Sequence, residues 1–186
     1  MKRFACAIAA LALSCPTIAS AAVISYNGSY GPVAVPFSST PLVSLQQFDP
    51  ILGTLTKVTL TLDASTTAGT ISFDNEAGVP TTLTLGIGAS VTASAPSALA
   101  VTAVPLQLGN GSVTADDEGA ADFIGADAFS VIGGVGNDSD AASITTPALL
   151  LPYIGVGTFN VDVESSLSTY LSTSGGFGPL DANAGL

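Results

Sequence analysis

The stretch FDPILGTLTKVTLTLDAS, residues 48–65, decides the fold class, because apolar and polar side chains alternate along its second half. Val58, Leu60 and Leu62 fall on one side, and polar residues fall on the other. Such a period of two is typical of a strand with one buried face and one face in water. Its β-branched residues also oppose a helix, because they restrict side-chain rotamers there. We therefore expect Lys57 to be solvated on the outer face, where it blunts an edge or pairs loosely with a carboxylate.

The same alternation predicts further strands. It is clearest at 71–73, 83–91 and 159–163, and weaker at 23–26, 42–48, 99–104 and 129–132. Turn-forming Gly, Pro and Asn residues separate these runs, at 27–28, 49–53, 75–78, 110–111 and 175–176. Short strands with such punctuation indicate an all-β fold, a single-domain antiparallel β-sandwich of jelly-roll or immunoglobulin-like type. We expect its core to contain Val58, Leu60, Leu62, Leu83, Leu85, Phe159 and Val161.

The N-terminus has the order of a secretory signal peptide. Lys2 and Arg3 precede an apolar run at 4–13 and small residues at 19–22. The run is too short to span a bilayer. We expect cleavage after Ala21, so that 1–21 is the signal peptide and 22–186 is one domain of a secreted, extracellular or cell-surface protein. The alternative is a lipoprotein cleavage box ending at Cys15, although Ala12 stands where such boxes usually carry Leu.

Residues 22–186 have an unusual composition. They contain no cysteine, histidine or tryptophan, and Lys57 is their one cation against 14 acidic residues, a formal charge of −13. A surface this acidic repels nucleic acid and anionic lipid headgroups, so neither is expected as a partner. No second apolar stretch is long enough to span a membrane. Because 47% of the chain is hydrophobic and only 9% is charged, it is expected to fold.

This composition also limits catalysis. Without histidine or cysteine, residues 22–186 cannot build a Ser-His-Asp or Cys-His site or the usual zinc sites. The glycine run at 133–136 is expected to be a flexible loop, and the segment 116–129 a short helix or a long loop. A pair of carboxylates alone could hydrolyse a glycoside. The candidates for such a pair are Asp116, Asp117, Glu118, Asp122 and Asp127. We expect these residues to form a solvated acidic loop instead.

The acidic loops between Asp116 and Asp140 are expected to be solvated, and a calcium site of weak affinity is the alternative, which is a better chemical hypothesis than hydrolysis. The run Asn137-Asp138-Ser139-Asp140 offers side-chain oxygens at alternate positions, and calcium prefers oxygen ligands. The match to an EF-hand loop then fails, because Ala142 and Leu149 occupy positions that need ligands. We expect no catalytic residue and no cofactor, with calcium as the alternative, and the metal ligands stay unassigned.

Tyrosines are the candidates for contact with sugars. They could bind sugar rings if several of them shared one exposed face, although a tyrosine at a strand end more often buries its ring. The four are Tyr26, Tyr30, Tyr153 and Tyr170.

Four segments carry a family resemblance: FDPILGTLTKVTLTL (48–62), ISFDNEAGVPTTLTL (71–85), YIGVGTFNVDVESSLST (153–169) and SGGFGPLDANAGL (174–186). Together they resemble the choice-of-anchor E domain of exported bacterial proteins, most specifically at 48–55. The resemblance implies a cell-surface or exopolysaccharide-associated β-sandwich of unestablished activity, with no catalytic residues to transfer. Members commonly end in a PEP-CTERM sorting tail, which does not follow Gly175 here. We therefore expect a truncated member whose final 12 residues lack a closing strand.

The sequence thus predicts a secreted or cell-surface, non-catalytic structural or matrix-interaction domain, and the resemblance implies that it is associated with exopolysaccharide. An extracellular carbohydrate-binding module, with or without calcium, is the alternative.

Overall fold

The computed structural model describes residues 22–67, 69–116, 121–175, 178 and 180–184. In that part of the chain, ten strands dominate and all strand pairs are antiparallel, which confirms the all-β sandwich. A four-residue helix, α1 (Pro147–Leu150), and two 3₁₀ turns, Pro50–Leu52 and Leu151–Tyr153, lie between them. The strands are β1 (Phe37–Gln46), β2 (Val58–Thr67), β3 (Gly69–Asp74), β4 (Thr81–Ala95), β5 (Leu99–Ala103), β6 (Leu106–Val113), β7 (Ala128–Ile132), β8 (Val135–Ile144), β9 (Thr158–Thr173) and β10 (Leu180–Ala184).

The larger layer is a sheet in the order β1-β9-β4-β5, in which β6 also pairs with β4. Along one edge of β4, β5 pairs with residues 91–95 and β6 pairs with residues 81–88. The two strands follow one another, joined through Val104 and the fully buried Pro105. Ala89 continues the ladder across this junction, because its backbone N–H donates to the Pro105 carbonyl at 3.2 Å.

The second layer consists of two smaller sheets, β10-β3-β7 and β2-β8. The chain passes directly from β7 to β8 through Gly133 and Gly134, whose φ angles are 52° and 158°. Positive φ favours glycine, so these two residues allow a sharp change of direction between the small sheets. The glycine run at 133–136 is therefore a two-residue connection followed by the start of β8, so the expectation of a flexible loop was wrong for Val135 and Gly136.

Each small sheet covers one half of the large sheet. One apolar cluster joins Ile71 and Phe73 of β3 to Leu83, Leu85 and Ile87 of β4. The other joins the second half of β4 to β9, β5 and the inner face of β2. The alternation along β4 explains this arrangement, because every second side chain from 83 to 93 is buried between the layers.

The predicted core is confirmed in part. Leu83, Leu85 and Val161 are buried, as the alternation predicted. On the two-stranded β2-β8 sheet the inward apolar side chains are only half-buried, because a narrow sheet leaves its rims open. This applies to Leu60 and Leu62, which pack against the core. The remaining two, Phe159 and Val58, are also half-buried, and Val58 lies outside both clusters.

The strand predictions at 58–62, 71–73, 83–91, 129–132 and 159–163 are confirmed. Those at 42–48 and 99–104 are confirmed in part, because the strands there end at Gln46 and Ala103. The strand prediction at 23–26 is wrong, since this segment forms no regular structure. The turn predicted at 110–111 is also wrong, since both residues lie inside β6. A Cβ on Gly111 would lie 2.5 Å from the ring of Phe129, so this glycine serves close packing between the layers.

Two further segments, the C-terminal residues and the acidic segment before β7, were also predicted from the sequence. Residues 180–184 form β10, which pairs with β3, so the prediction of no strand in the final 12 residues was wrong. In the acidic segment, the described residues before β7 form no helix, which leaves the long-loop alternative. The predicted signal peptide at 1–21 and the expected truncation after Leu186 lie outside the described residues.

The turn at 49–53 forms as its residue types predict. The Asp49 carboxylate accepts the backbone N–H of Ile51 at 2.9 Å, Pro50 begins the 3₁₀ turn, and Gly53 has a φ of 138°. Lys57 is exposed just before β2, which confirms its assignment to the solvated side. Within the described ranges, no helix has the length and apolar character needed to cross a bilayer.

Candidate functional site

The run Asn137-Asp138-Ser139-Asp140 was expected to be a solvated loop, with weak calcium binding as the alternative, and it lies in the middle of β8. Its two aspartates face the free edge of β5, where Asp140 accepts the backbone N–H of Thr102 at 3.1 Å and Asp138 accepts that of Val104 at 2.6 Å. The equal two-residue spacing on both strands makes this possible, because β8 runs alongside β5. The loop prediction was therefore wrong, and these carboxylates join the two layers of the sandwich.

The acidic segment that precedes β7 packs against the turn that follows β3. There the Asp74 carboxylate accepts the backbone N–H groups of Asp122 (2.8 Å) and Phe123 (2.7 Å). Desolvation raises the pKa of Glu76 in the same turn, and neighbouring aspartate charges raise it further. In order of effect these are Asp116, Asp74, Asp127 and Asp122.

The structure thus separates the two halves of the region in which a calcium site was the alternative to simple solvation. Asp116, Asp122 and Asp127 lie near the turn after β3, whereas Asp138 and Asp140 lie against β5. Within the residues the structure describes, no three His, Cys, Asp or Glu side chains are grouped so that they could hold a metal ion. Asp117 and Glu118 lie outside the described residues. A calcium role stays a prediction.

The four tyrosines do not share one face. Tyr153 is buried at 2% exposure, packs edge-on against Phe159 with ring centroids 4.9 Å apart, and donates its hydroxyl to the Pro96 carbonyl. Tyr26 and Tyr30 are part-exposed in the N-terminal segment that precedes β1. Tyr170 alone of the four stands on a strand within a sheet, at 47% exposure on the outer face of β9.

Tyr170 belongs to a row of three residues that crosses three strands. It pairs with Gly86 of β4, and Gly86 pairs in turn with Leu108 of β6, which is 56% exposed. A Cβ on Gly86 would lie 2.5 Å from Leu108 Cδ2 and 3.0 Å from Tyr170 Cβ. Glycine therefore lets these two apolar side chains come together over the middle strand. We call the three residues the Tyr170 row.

An open groove of about 560 Å³ lies on the same face, one step along each strand from the Tyr170 row. Thr84 Oγ1 donates to Asn110 Oδ1 at 2.6 Å, and Thr82 Oγ1 donates to Ser174 Oγ at 2.8 Å. The lining residues, all within the described ranges, include no ionisable side chain. Its outward-facing hydroxyl and amide side chains are those of Thr82, Thr84, Asn110, Ser112, Ser172 and Ser174.

A second open groove, of about 600 Å³, lies on the outer face of the β2-β8 sheet. Asp63 contributes a carboxylate to it, together with the polar side chains of Ser65, Asn137 and Ser139. Asp138 also lines the groove, but it pairs with Ala64 of the inner face and its carboxylate accepts a backbone hydrogen bond beside β5. Among the described residues that line this groove, Asp63 is therefore the one ionisable side chain on its outer side.

The sequence indicated Tyr170 as a candidate for contact with sugars, but it did not indicate the groove beside it. The groove joins β4, β6 and β9, whose residues lie far apart in the chain, and β6 was not predicted as a strand. The available signal was the run Thr81-Thr82-Leu83-Thr84-Leu85, whose alternation places Thr82 and Thr84 on the outer face.

Comparisons of the chain with protein-family models, with curated proteins and with solved structures each find no match. The resemblance to the choice-of-anchor E domain stays a prediction.

Proposed function

We propose that this chain is an exported, non-catalytic domain that interacts with an extracellular matrix or with the cell surface. The observation that carries the proposal is the outer face of the large sheet, where an uncharged groove lined by hydroxyl and amide groups adjoins the exposed ring of Tyr170. Such a face offers many hydrogen bonds to a hydroxyl-rich polymer.

The sequence supports the same role. A charged start, a short apolar run and small residues precede Ala22, which is the order of an export signal. The segments from 48 to 186 resemble a domain of exported bacterial proteins that are associated with exopolysaccharide. Residues 22–186 carry no histidine and no cysteine, the side chains on which most nucleophilic hydrolases depend.

Expression in a bacterium that secretes exopolysaccharide tests the proposal. The full chain should be recovered from the extracellular matrix fraction, and a variant that lacks residues 2–21 should stay in the cytoplasm. Incubation of purified residues 22–186 with the matrix should leave the size distribution of its polysaccharide unchanged in size-exclusion chromatography. Cytoplasmic retention of the full chain, or shortening of the polysaccharide, would contradict the proposal.

A carbohydrate-binding module is the second candidate. The Tyr170 row favours it, because an exposed aromatic ring beside neutral hydrogen-bonding groups is the usual composition of a binding site that selects by orientation. Calcium assistance of such binding stays a prediction.

A further inference from the structure

We propose that the Tyr170 row and the adjoining groove bind a neutral polysaccharide, with a sugar ring seated on Tyr170. The inference rests on the proposed extracellular role and assigns it a site. Tyr170 presents an amphipathic ring at 47% exposure, and Leu108 extends the apolar surface beside it. The apolar C–H face of a sugar ring matches such a surface, and its hydroxyl groups remain free for the groove.

The groove supplies donors and acceptors in register with the ring. The strand pairing places Tyr170, Gly86 and Leu108 in one row, then Ser172, Thr84 and Asn110 in the next. Successive rows on one face are about 7 Å apart, since each strand residue advances the chain by about 3.3 Å. With the row of Thr82 and Ser174, the surface therefore extends for about 14 Å, enough for a chain of a few sugars.

Asn110 is the most adaptable polar group in the groove. Its Oδ1 already accepts the Thr84 hydroxyl, which fixes the orientation of the amide. Its Nδ2 forms no hydrogen bond with the described residues and the residue is exposed, so this amide retains two donors. A donor pair of fixed orientation on an exposed strand is suited to neighbouring hydroxyl oxygens of a sugar.

The charge of the protein selects the class of polysaccharide. The residues that line the groove include no ionisable side chain, so nothing there pairs with the carboxylate of an acidic sugar or with the ammonium of an amino sugar. The chain as a whole carries 14 acidic residues and a net charge of −11, which repels an anionic polymer. A neutral polysaccharide avoids both penalties.

Affinity electrophoresis of residues 22–186 in gels that contain dextran, galactomannan or hydroxyethyl cellulose tests the inference, with alginate as the anionic comparison. At least one neutral polymer should retard the protein, and alginate should not. Tyr170→Ala should weaken the binding about tenfold or more, whereas Tyr170→Phe, which keeps the ring, should stay within about threefold. Asn110→Ala removes one hydrogen bond to the polysaccharide, and should therefore weaken the binding about fivefold.

Tyr26→Ala is the matched control, because Tyr26 is part-exposed in the N-terminal segment and does not line the groove. Thermal unfolding of each variant shows that the fold is kept. Unchanged binding by Tyr170→Ala, tighter binding to alginate, or no binding to any neutral polymer would overturn the inference. The last outcome leaves the extracellular role intact if the full chain is still recovered from the matrix, whereas cytoplasmic retention of a chain that binds the polymer contradicts the role alone.

Discussion

The Asp138 carboxylate accepts the backbone N–H of Val104 at 2.6 Å. Val104 directly follows β5, which is an edge strand of the large sheet. Asp140 repeats the contact two residues away, at Thr102. An open strand edge has unpaired N–H groups that can pair with another chain. Two side chains of β8 thus do for β5 what a further strand would do, and they tie the second layer to the first.

Replacement of Asp138 by alanine should lower the free energy of unfolding by about 1–2 kcal/mol, because the Val104 N–H loses a charged acceptor. Asp138→Asn retains a carbonyl oxygen and should cost less. Urea unfolding of residues 22–186 measures both. Equal losses for the two variants would show that the negative charge, and not the hydrogen bond, is what matters.

The place of these aspartates explains why β8 was not predicted. Asn and Asp are depleted in strands, and a run of four such polar residues has the composition of a loop. The pairing of β8 with ten successive residues of β2 and the contact with β5 outweigh that preference. Both are non-local, so no pattern within the run itself indicates them.

Two leucines that are buried to different extents test the arrangement of the two layers. Leu85 is fully buried, and Leu85→Ala should cost about 3–5 kcal/mol, because it leaves a cavity in the core. Leu60 is only half-buried on β2, so Leu60→Ala should cost about 1–2 kcal/mol. Urea unfolding with unchanged m-values gives both numbers. A larger loss at Leu60 than at Leu85 would contradict the assignment of the core.

Gly88 marks the point at which β5 gives way to β6 beside β4. A Cβ there would overlap the carbonyl oxygen of Pro105, which is backbone and cannot rotate away. Gly88→Ala should therefore cost about 2–3 kcal/mol or more. Gly78→Ala is the control, because no atom lies within 4 Å of its added Cβ. Similar melting temperatures for the two variants would show that the junction is looser than described.

Strong alternation made part of this fold predictable, because a strand with one buried face needs apolar residues at every second position. This holds for β2, β4 and the first half of β9. The pattern fades in β6 and β10, where glycine, asparagine and aspartate interrupt it. The Tyr170 row was beyond reach for another reason: it depends on which strands pair and in what register, and that follows from the whole fold.

Calcium stays a prediction for the acidic residues beside the turn after β3, where several aspartate charges act on Glu76, although no three carboxylates of the described residues are grouped to hold a metal ion. An extracellular site with a Kd near 1 mM would add about 1.4 kcal/mol of stability at 10 mM calcium. Melting temperatures in 10 mM CaCl₂ and in NaCl of equal ionic strength test this. A melting temperature that is the same in both salts would contradict calcium binding to the folded chain.

Glu76 gives the last prediction, which concerns pH. Desolvation, together with the charges of Asp116, Asp74, Asp127 and Asp122, raises its pKa above the ordinary value of 4.5. The folded chain therefore binds this proton more tightly than the unfolded chain. Its contribution to stability is present at low pH and is lost as the pH rises from 4.5 through the raised pKa. Glu76→Gln removes the charge, and should melt at a higher temperature than the unchanged chain at pH 7.

At about pH 3.5 both forms are uncharged at this position, so the difference between them should nearly vanish. Glu164→Gln is the matched control, since Glu164 is exposed on β9 and a substitution there should alter stability by less than about 0.5 kcal/mol. Differential scanning calorimetry at the two pH values measures all three proteins. A gain for Glu76→Gln that is as large at pH 3.5 as at pH 7 would assign the effect to packing of the turn, because repulsion between carboxylates requires that they be ionised.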